Sequence, residues 1–238
     1  MTSPPRFSTW RAAGNQYLLA ERAALGHALS AEEVRRAAAG SDGILEVVSS
    51  SRNEAEILIW NPDGSQAELS GNGTRIAARW LADRSGADEV RIRVGTREVV
   101  ARMRPDGTVE QDLGPVEVGA PERLDDVELT PVSVGNPHAV VLGDPAEITR
   151  LGPLLESHPR FPERTNVQVV HVNGPGDVTA RVWERGVGET LSSGTSAVAV
   201  AAATHGEGTV VVHFPGGPLT VRLDGGRALL TGPVEQVC

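Results

Sequence analysis

Two serines occupy the positions in this chain best suited to chemistry. Ser70 lies in "ELSGNGTRIAARWLA" and Ser193 in "ERGVGETLSSGTSAVAVAAA", each followed by glycine and then by small or apolar residues. A glycine-rich turn that opens into a helix presents backbone N–H groups with no partner inside the helix. Together with the helix dipole these favour an anion such as a carboxylate. Two such helix starts aimed at one small ligand would set a serine on either side of it. Racemisation or epimerisation suits that arrangement, because one group removes a proton and another returns one on the opposite face.

The spacing supports a paired site. Ser193 follows Ser70 by 123 residues, and Gly135-Asn136 follows Gly14-Asn15 by 121. Asn15 precedes Ser70 by 55 residues and Asn136 precedes Ser193 by 57, while Asn61 and Glu184 each stand nine residues before their serine. Four landmarks in matching order imply an internal repeat, with equivalent turns facing one another across a cleft. An asparagine in a glycine-rich loop is also an ordinary turn residue, so the spacing alone leaves the role of each open.

The elements that must position these turns follow from periodicity. "EAEILIWN", "EVRIRVGTREVVARM", "ERTNVQVVHV", "DVTARVWER", "GTVVVHF" and "LTVRLDGGRALLTG" alternate with period two and are rich in β-branched residues, as strands are. "SAEEVRRAAAG" predicts an amphipathic helix capped by Ser30, and "DPAEITRLGPLLES" a second surface helix. The alanine- and valine-rich stretches after Ser70 and Ser193 predict helices apolar on nearly every face, hence buried. A buried helix wrapped by strands therefore fits each half, with a Pro- and Gly-rich linker near "QDLGPVEVGAPERLDD".

Composition bounds the function. A chain of 238 residues with 39% hydrophobic and 22% charged residues is an ordinary globular protein, of one large domain or two of about 120 residues. The net charge of -9 argues against nucleic acid or an acidic membrane surface as partner. Neither a signal-peptide core nor a long apolar run is present, so a cytoplasmic location is expected. All 22 basic residues are arginine, which leaves no lysine for a pyridoxal-phosphate Schiff base. The single cysteine, Cys238, allows no internal disulfide, and the six histidines show no metal-ligand spacing, so no metal site is expected.

At these residues the chain resembles the diaminopimelate epimerase family, within the proline racemase-like superfamily. The resemblance runs along essentially the whole chain, through "GNQY", "DGILEV", "NPDGS", "GNGTR", "VGNPH", "RTNVQ", "ERGVGET", "SGT" and "LTGPVE". It implies an α/β (α+β) fold of two pseudo-symmetric halves, each a strand barrel around a central helix, with the active site in the cleft between them. The expected halves are residues 1–113 and 114–227, with the last strand, 228–238, packing back onto the first half. It also implies a role in lysine and cell-wall precursor synthesis, an amino-acid substrate with a second amino-acid head, no cofactor, and a monomer or homodimer. By the same resemblance Asn15, Asn61, Asn136, Asn166, Glu184 and Arg185 hold the substrate's amino and carboxylate groups. Gly71-Asn72 and Gly194-Thr195 supply backbone donors to the carboxylate at the reacting carbon. His138 either orients a neighbouring catalytic group or satisfies a loop carbonyl, and Glu184 is a second candidate for assisting the proton transfer.

One departure matters. The family carries a cysteine at each catalytic position, where this chain has Ser70 and Ser193. A thiol ionises near pH 8.5 and lower still at a helix N-terminus, whereas a serine normally needs a neighbouring base. The serine form is therefore expected to be weak or inactive as an epimerase of LL- to meso-diaminopimelate. Three readings compete: replacement of cysteine by its nearest isostere; natural serines helped by a group such as Glu184 or His138 in a racemase, epimerase or dehydratase of another amino acid; or a non-catalytic amino-acid-binding protein. Gly43 is a second departure, because a polar residue such as glutamine is usual in that segment.

Overall fold

A computed structural model describes residues 7–237. The chain forms two compact units, one running through residue 111 and completed by the stretch from 232, the other spanning 112–231.

The first unit contains strands β1 (Ser8–Ala12), β2 (Asn15–Glu21), β3 (Gly43–Ser50), β4 (Glu54–Trp60), β5 (Gln66–Ala67), β6 (Glu89–Val94) and β7 (Arg97–Met103). Its helices are the single turn α1 (Arg22–Leu25), α2 (Ala31–Ala37) and α3 (Gly71–Ser85). β1 pairs antiparallel with β2, β2 parallel with β3, and β3 antiparallel with β4. β4 pairs antiparallel with β5 and parallel with β6, and β6 and β7 form a hairpin. The C-terminal strand, Glu235–Val237, closes onto β1.

Strand β8 (Val109–Pro115) runs across the boundary at residue 111. The second unit then adds β9 (Glu117–Val118), β10 (Glu122–Leu124), β11 (Val127–Ser133), β12 (Pro137–Leu142), β13 (Asn166–Gly174), β14 (Asp177–Glu184), β15 (Gly188–Thr190), β16 (Gly208–Phe214), β17 (Gly217–Asp224) and β18 (Arg227–Gly232). Its helices are α4 (Ile148–Glu156), entered through a 3-10 turn at Pro145–Glu147, and α5 (Gly194–Thr204). The pairing plan repeats that of the first unit step for step. β11–β12 is antiparallel, β12–β13 parallel, β13–β14 and β14–β15 antiparallel, β14–β16 parallel and β16–β17 antiparallel. Even the irregularity recurs: the register slips between Val47 and Ser49 in β3, and between Val172 and Gly174 in β13.

The central helix of each unit explains the wrapping. α3 touches β1, β2, β3, β4, β6 and β7, and α5 touches β11, β12, β13, β16 and β17. Ile76, Ala77 and Ala78 of α3 and Ala197 through Ala201 of α5 have no exposed surface. Small side chains let strands approach from several sides, so the valines of α5 stay helical because packing outweighs their modest propensity. The strands present the matching face. In β6, Val90 and Ile92 are fully buried while Arg91 and Arg93 face solvent. Each large aliphatic chain buried this way contributes about 1.5–3 kcal/mol.

Several sequence expectations hold. α2 starts at a complete capping box between Ser30 and Glu33. The predicted second surface helix is α4, which buries Ile148, Leu151 and Leu155. The stretch expected to be a linker is not one. It folds into β8, β9 and β10, of which β9 and β10 both pair with β11, and its prolines and glycines confine β9 and β10 to two or three residues. No helix among the described residues is long and apolar enough to cross a membrane.

Candidate active site

In the first unit the site grows from the start of α3. Ser70 is the N-cap, extended at φ -136° and ψ 119°, and its Oγ accepts the Gly73 N–H at 3.0 Å. Gln111 pins this turn from the end of the unit: its Nε2 donates to the Gly71 carbonyl at 2.7 Å, and the Thr74 hydroxyl donates to its Oε1 at 2.7 Å. Asn72 donates through Nδ2 to Asn15 Oδ1 at 2.5 Å, which fixes two predicted substrate contacts to each other. Asn72 in turn accepts from Arg75 Nη2. Arg75 is fully buried, and its Nε and Nη1 have no partner. Burial alone pulls its guanidinium down to about 9, so it remains charged at neutral pH.

Asn61 sits apart from that chain. Its backbone and its Nδ2 close the "NPDGS" turn onto Ser65, the side-chain bond being 2.9 Å, which leaves its oxygen as the group able to accept. Gly43 proves to be a backbone requirement. It has φ +148°, and a Cβ there would overlap the Trp60 carbonyl oxygen and stand 3.1 Å from Tyr17 Cε1. No polar side chain fits at that position.

In the second unit Ser193 is the N-cap of α5, at φ -145° and ψ 130°, but its side chain makes no capping bond. Beneath this turn lies a polar chain. Ser196 Oγ accepts from Gln168 Nε2 at 2.9 Å, the same amide lies 3.0 Å from His138 Nδ1, and His138 Nε2 lies 3.0 Å from Asn136 Oδ1. Asn136 Nδ2 then reaches toward Thr195 Oγ1 at 3.5 Å. Asn166 joins this group to the next turn, donating to the Pro137 carbonyl at 2.9 Å and accepting the Arg185 N–H at 3.0 Å. Glu184 accepts from the Thr190 hydroxyl at 2.6 Å. Glu156 of α4 supports the Arg185 turn by accepting from the Gly186 N–H and from Trp183 Nε1, both at 2.7 Å. α4 comes this close because Gly152 faces the Trp183 ring, where a Cβ would lie 2.6 Å away.

Comparison with known proteins gives this geometry a context. A family model described as diaminopimelate epimerase matches residues 19–119 and 130–237. The chain belongs to the diaminopimelate epimerase family. It is 36% identical to the diaminopimelate epimerase of Alkalilimnicola ehrlichii over 268 residues, covering 98% of this chain and 96% of that protein. Identity to the diaminopimelate epimerase of Desulfitobacterium hafniense is 36% over 234 residues, with 85% and 83% covered. Among solved structures, a predicted epimerase from Pseudomonas aeruginosa shares the fold at a TM-score of 0.78 and 17% identity, over 98% of this chain and 97% of that one. A hydroxyproline epimerase from Agrobacterium vitis does so at 0.66 and 16%, over 97% and 90%. The family is one of isomerases, and epimerase chemistry is the activity its members are named for.

Residues of the diaminopimelate epimerase frame that sequence reasoning missed are supports. Arg75 and Gln168 lie inside the motifs "GNGTR" and "RTNVQ", so a signal existed for them. Gln111 and Glu156 carry none, because their partners are 40 and 30 residues away in sequence. Both ring nitrogens of His138 are engaged within the unit, by Asn136 and Gln168. Burial holds its imidazole down at about 3 against the opposing Gln168 hydrogen bond, and the Arg185 charge pushes the same way as burial.

A buried neutral histidine makes stability depend on pH. Between about pH 6.5 and about pH 3 the unfolded side chain binds a proton that the native one does not, so stability rises with pH across that window. The contribution is complete above the unfolded value and is lost as pH falls toward the folded one, by up to about 5 kcal/mol. Denaturant midpoints at about pH 7.5 and about pH 4.5 should differ less for His138→Gln than for the unmodified protein. An equal acid dependence in both would place the titrating group elsewhere.

Proposed function

We propose that this chain is a cofactor-independent epimerase of diaminopimelate, interconverting the LL and meso isomers in the cytoplasm by proton transfer on two faces of one α-carbon. One observation carries the reading: the same strand plan occurs twice, and in both copies a serine stands at the N-cap position of the central helix, at the same point of that plan. On this reading Ser70 serves one face of the α-carbon and Ser193 the other. The helix starts at Gly71-Asn72 and Gly194-Thr195 would hold the carboxylate of the reacting carbon. Charge developing on that carboxylate as the α-proton leaves is then stabilised by fixed dipoles that need no reorganisation.

The remaining groups divide between the ends of the substrate. Asn61, through its free oxygen, and Glu184 suit an ammonium, and Asn15, Asn136 and Asn166 suit either end through their amides. Arg185 suits the distal carboxylate, because a planar fork can grip both oxygens. His138 serves as a positioning residue under Asn136 and stays neutral at physiological pH, its Nε2–H donating to the Asn136 oxygen. With serine at both acid–base positions the turnover is slow, since neither hydroxyl ionises as a thiol does.

Arg185→Lys should weaken diaminopimelate binding by about tenfold although the charge is kept, as the loss of one bidentate contact predicts. Unchanged affinity in a calorimetric titration would make Arg185 a structural residue. The reading as a whole is tested by incubating LL-diaminopimelate with the protein in D2O. Slow loss of the α-proton signal is the expected result. Tight binding with no exchange at either isomer would favour an amino-acid-binding protein.

A further inference from the structure

Ser70 has a neighbour outside the residues assigned above to substrate or proton transfer. Tyr17, on β2, is the chain's only tyrosine, and its hydroxyl lies 3.2 Å from Ser70 Oγ. The ring is held in place. It is 9% exposed, packs in the core that includes Leu45 and Trp10, and pairs across the sheet with Trp10 on β1 and Gly43 on β3. The missing side chain at Gly43 is what leaves room for the ring edge.

We infer that Tyr17 is the proton partner of Ser70, so that a tyrosine–serine pair stands on this face where a single thiol would otherwise act. For its substrate the inference rests on the epimerase reading above. A phenol has an ordinary pKa near 10, much closer to a thiol than a serine hydroxyl is. Ser70 Oγ already accepts the Gly73 N–H at the positive end of α3, which makes its own O–H a better donor. In the base direction the Tyr17 phenolate takes the Ser70 hydroxyl proton while Ser70 Oγ takes the substrate α-proton. The C–H electron pair stays on the substrate and spreads into its carboxylate. In the acid direction each proton moves back by one place. Every bond broken at one oxygen is formed at the next, and the phenol exchanges its proton with water between turnovers. Ser193, which makes no capping bond, has no such partner among the contacts described, so the two faces should be unequal. Deuterium should enter one isomer of diaminopimelate without inversion, faster than inversion occurs.

Because the chain has one tyrosine, its ionisation can be followed directly by phenolate absorbance in the ligand-free protein. A serine that donates to the phenolate lowers the pH of ionisation, because hydrogen bonds to a charged group are the stronger ones. Ser70→Ala should therefore raise the midpoint by about one pH unit. Ser70→Thr, which keeps the hydroxyl and the cap, should leave it near its original place. An unchanged midpoint in Ser70→Ala overturns the pairing whatever the substrate is. Tyr17→Phe should reduce deuterium uptake about 10²-fold or more, with diaminopimelate affinity within about twofold. Full exchange in Tyr17→Phe, or binding without any exchange in the unmodified protein, overturns the relay. Failure to bind diaminopimelate would instead overturn the epimerase reading, while the absorbance titration would still decide the pair.

Discussion

The double substitution Ser70→Cys with Ser193→Cys should raise the rate of LL- to meso-diaminopimelate conversion by about 10²–10⁴-fold, the usual range for a general acid–base group. The polar frame that surrounds both serines is complete within its own unit: Asn15 and Asn72 are locked together in the first, Asn136, His138 and Gln168 in the second. A cysteine at an N-cap keeps the helix start behind it and ionises more readily there than in water. Each single cysteine should restore far less inversion than the pair, because removal on one face and delivery on the other are both required, so the effects should be strongly non-additive. Additive effects, each single variant giving its own share of inversion, would contradict a two-face mechanism.

Arg75→Met should move stability and binding in opposite directions. A buried guanidinium with two nitrogens unpartnered costs several kcal/mol to keep charged, and a methionine of similar reach fills the space without that cost. Unfolding free energy should rise by about 1–4 kcal/mol, which for a chain of this length means a Tm higher by about 2–4 °C per kcal/mol. Affinity for diaminopimelate should fall by about tenfold, because Asn72 loses the donor that orients it toward Asn15, and the helix start loses a nearby positive charge. Lower stability together with unchanged affinity would show that Arg75 is a packing residue with an unrecognised partner.

The legibility of this molecule in its sequence differs by region for physical reasons. The two central helices were readable because a glycine-rich turn followed by small apolar residues has few other interpretations. The β6–β7 hairpin and the β13–β14 pair were readable from alternation. β11 and β12 were not, because Pro131 and Pro137 break the period that marks a strand, and both still pair over four residues. β1 and β2 were hidden by the tight turn at Ala13-Gly14, where both residues have positive φ. In the site, the asparagines and Arg185 were visible through motifs and spacing. The chain from Tyr17 to Ser70 was not, since it joins residues 53 apart and depends on the side chain that Gly43 lacks. Gly43, where the family usually has a polar residue, is required here by the Trp60 carbonyl packed against it.

The central claim is that this chain holds diaminopimelate as the substrate of an epimerase frame. Calorimetric titration of the unmodified protein with the LL and meso isomers tests that claim most directly, because binding does not depend on whether serine can replace cysteine. The account predicts one site per chain for both isomers, with neither preferred by more than about tenfold, since a frame built for both faces must accept both configurations. No heat with either isomer, alongside saturable binding of a proline derivative, would contradict it.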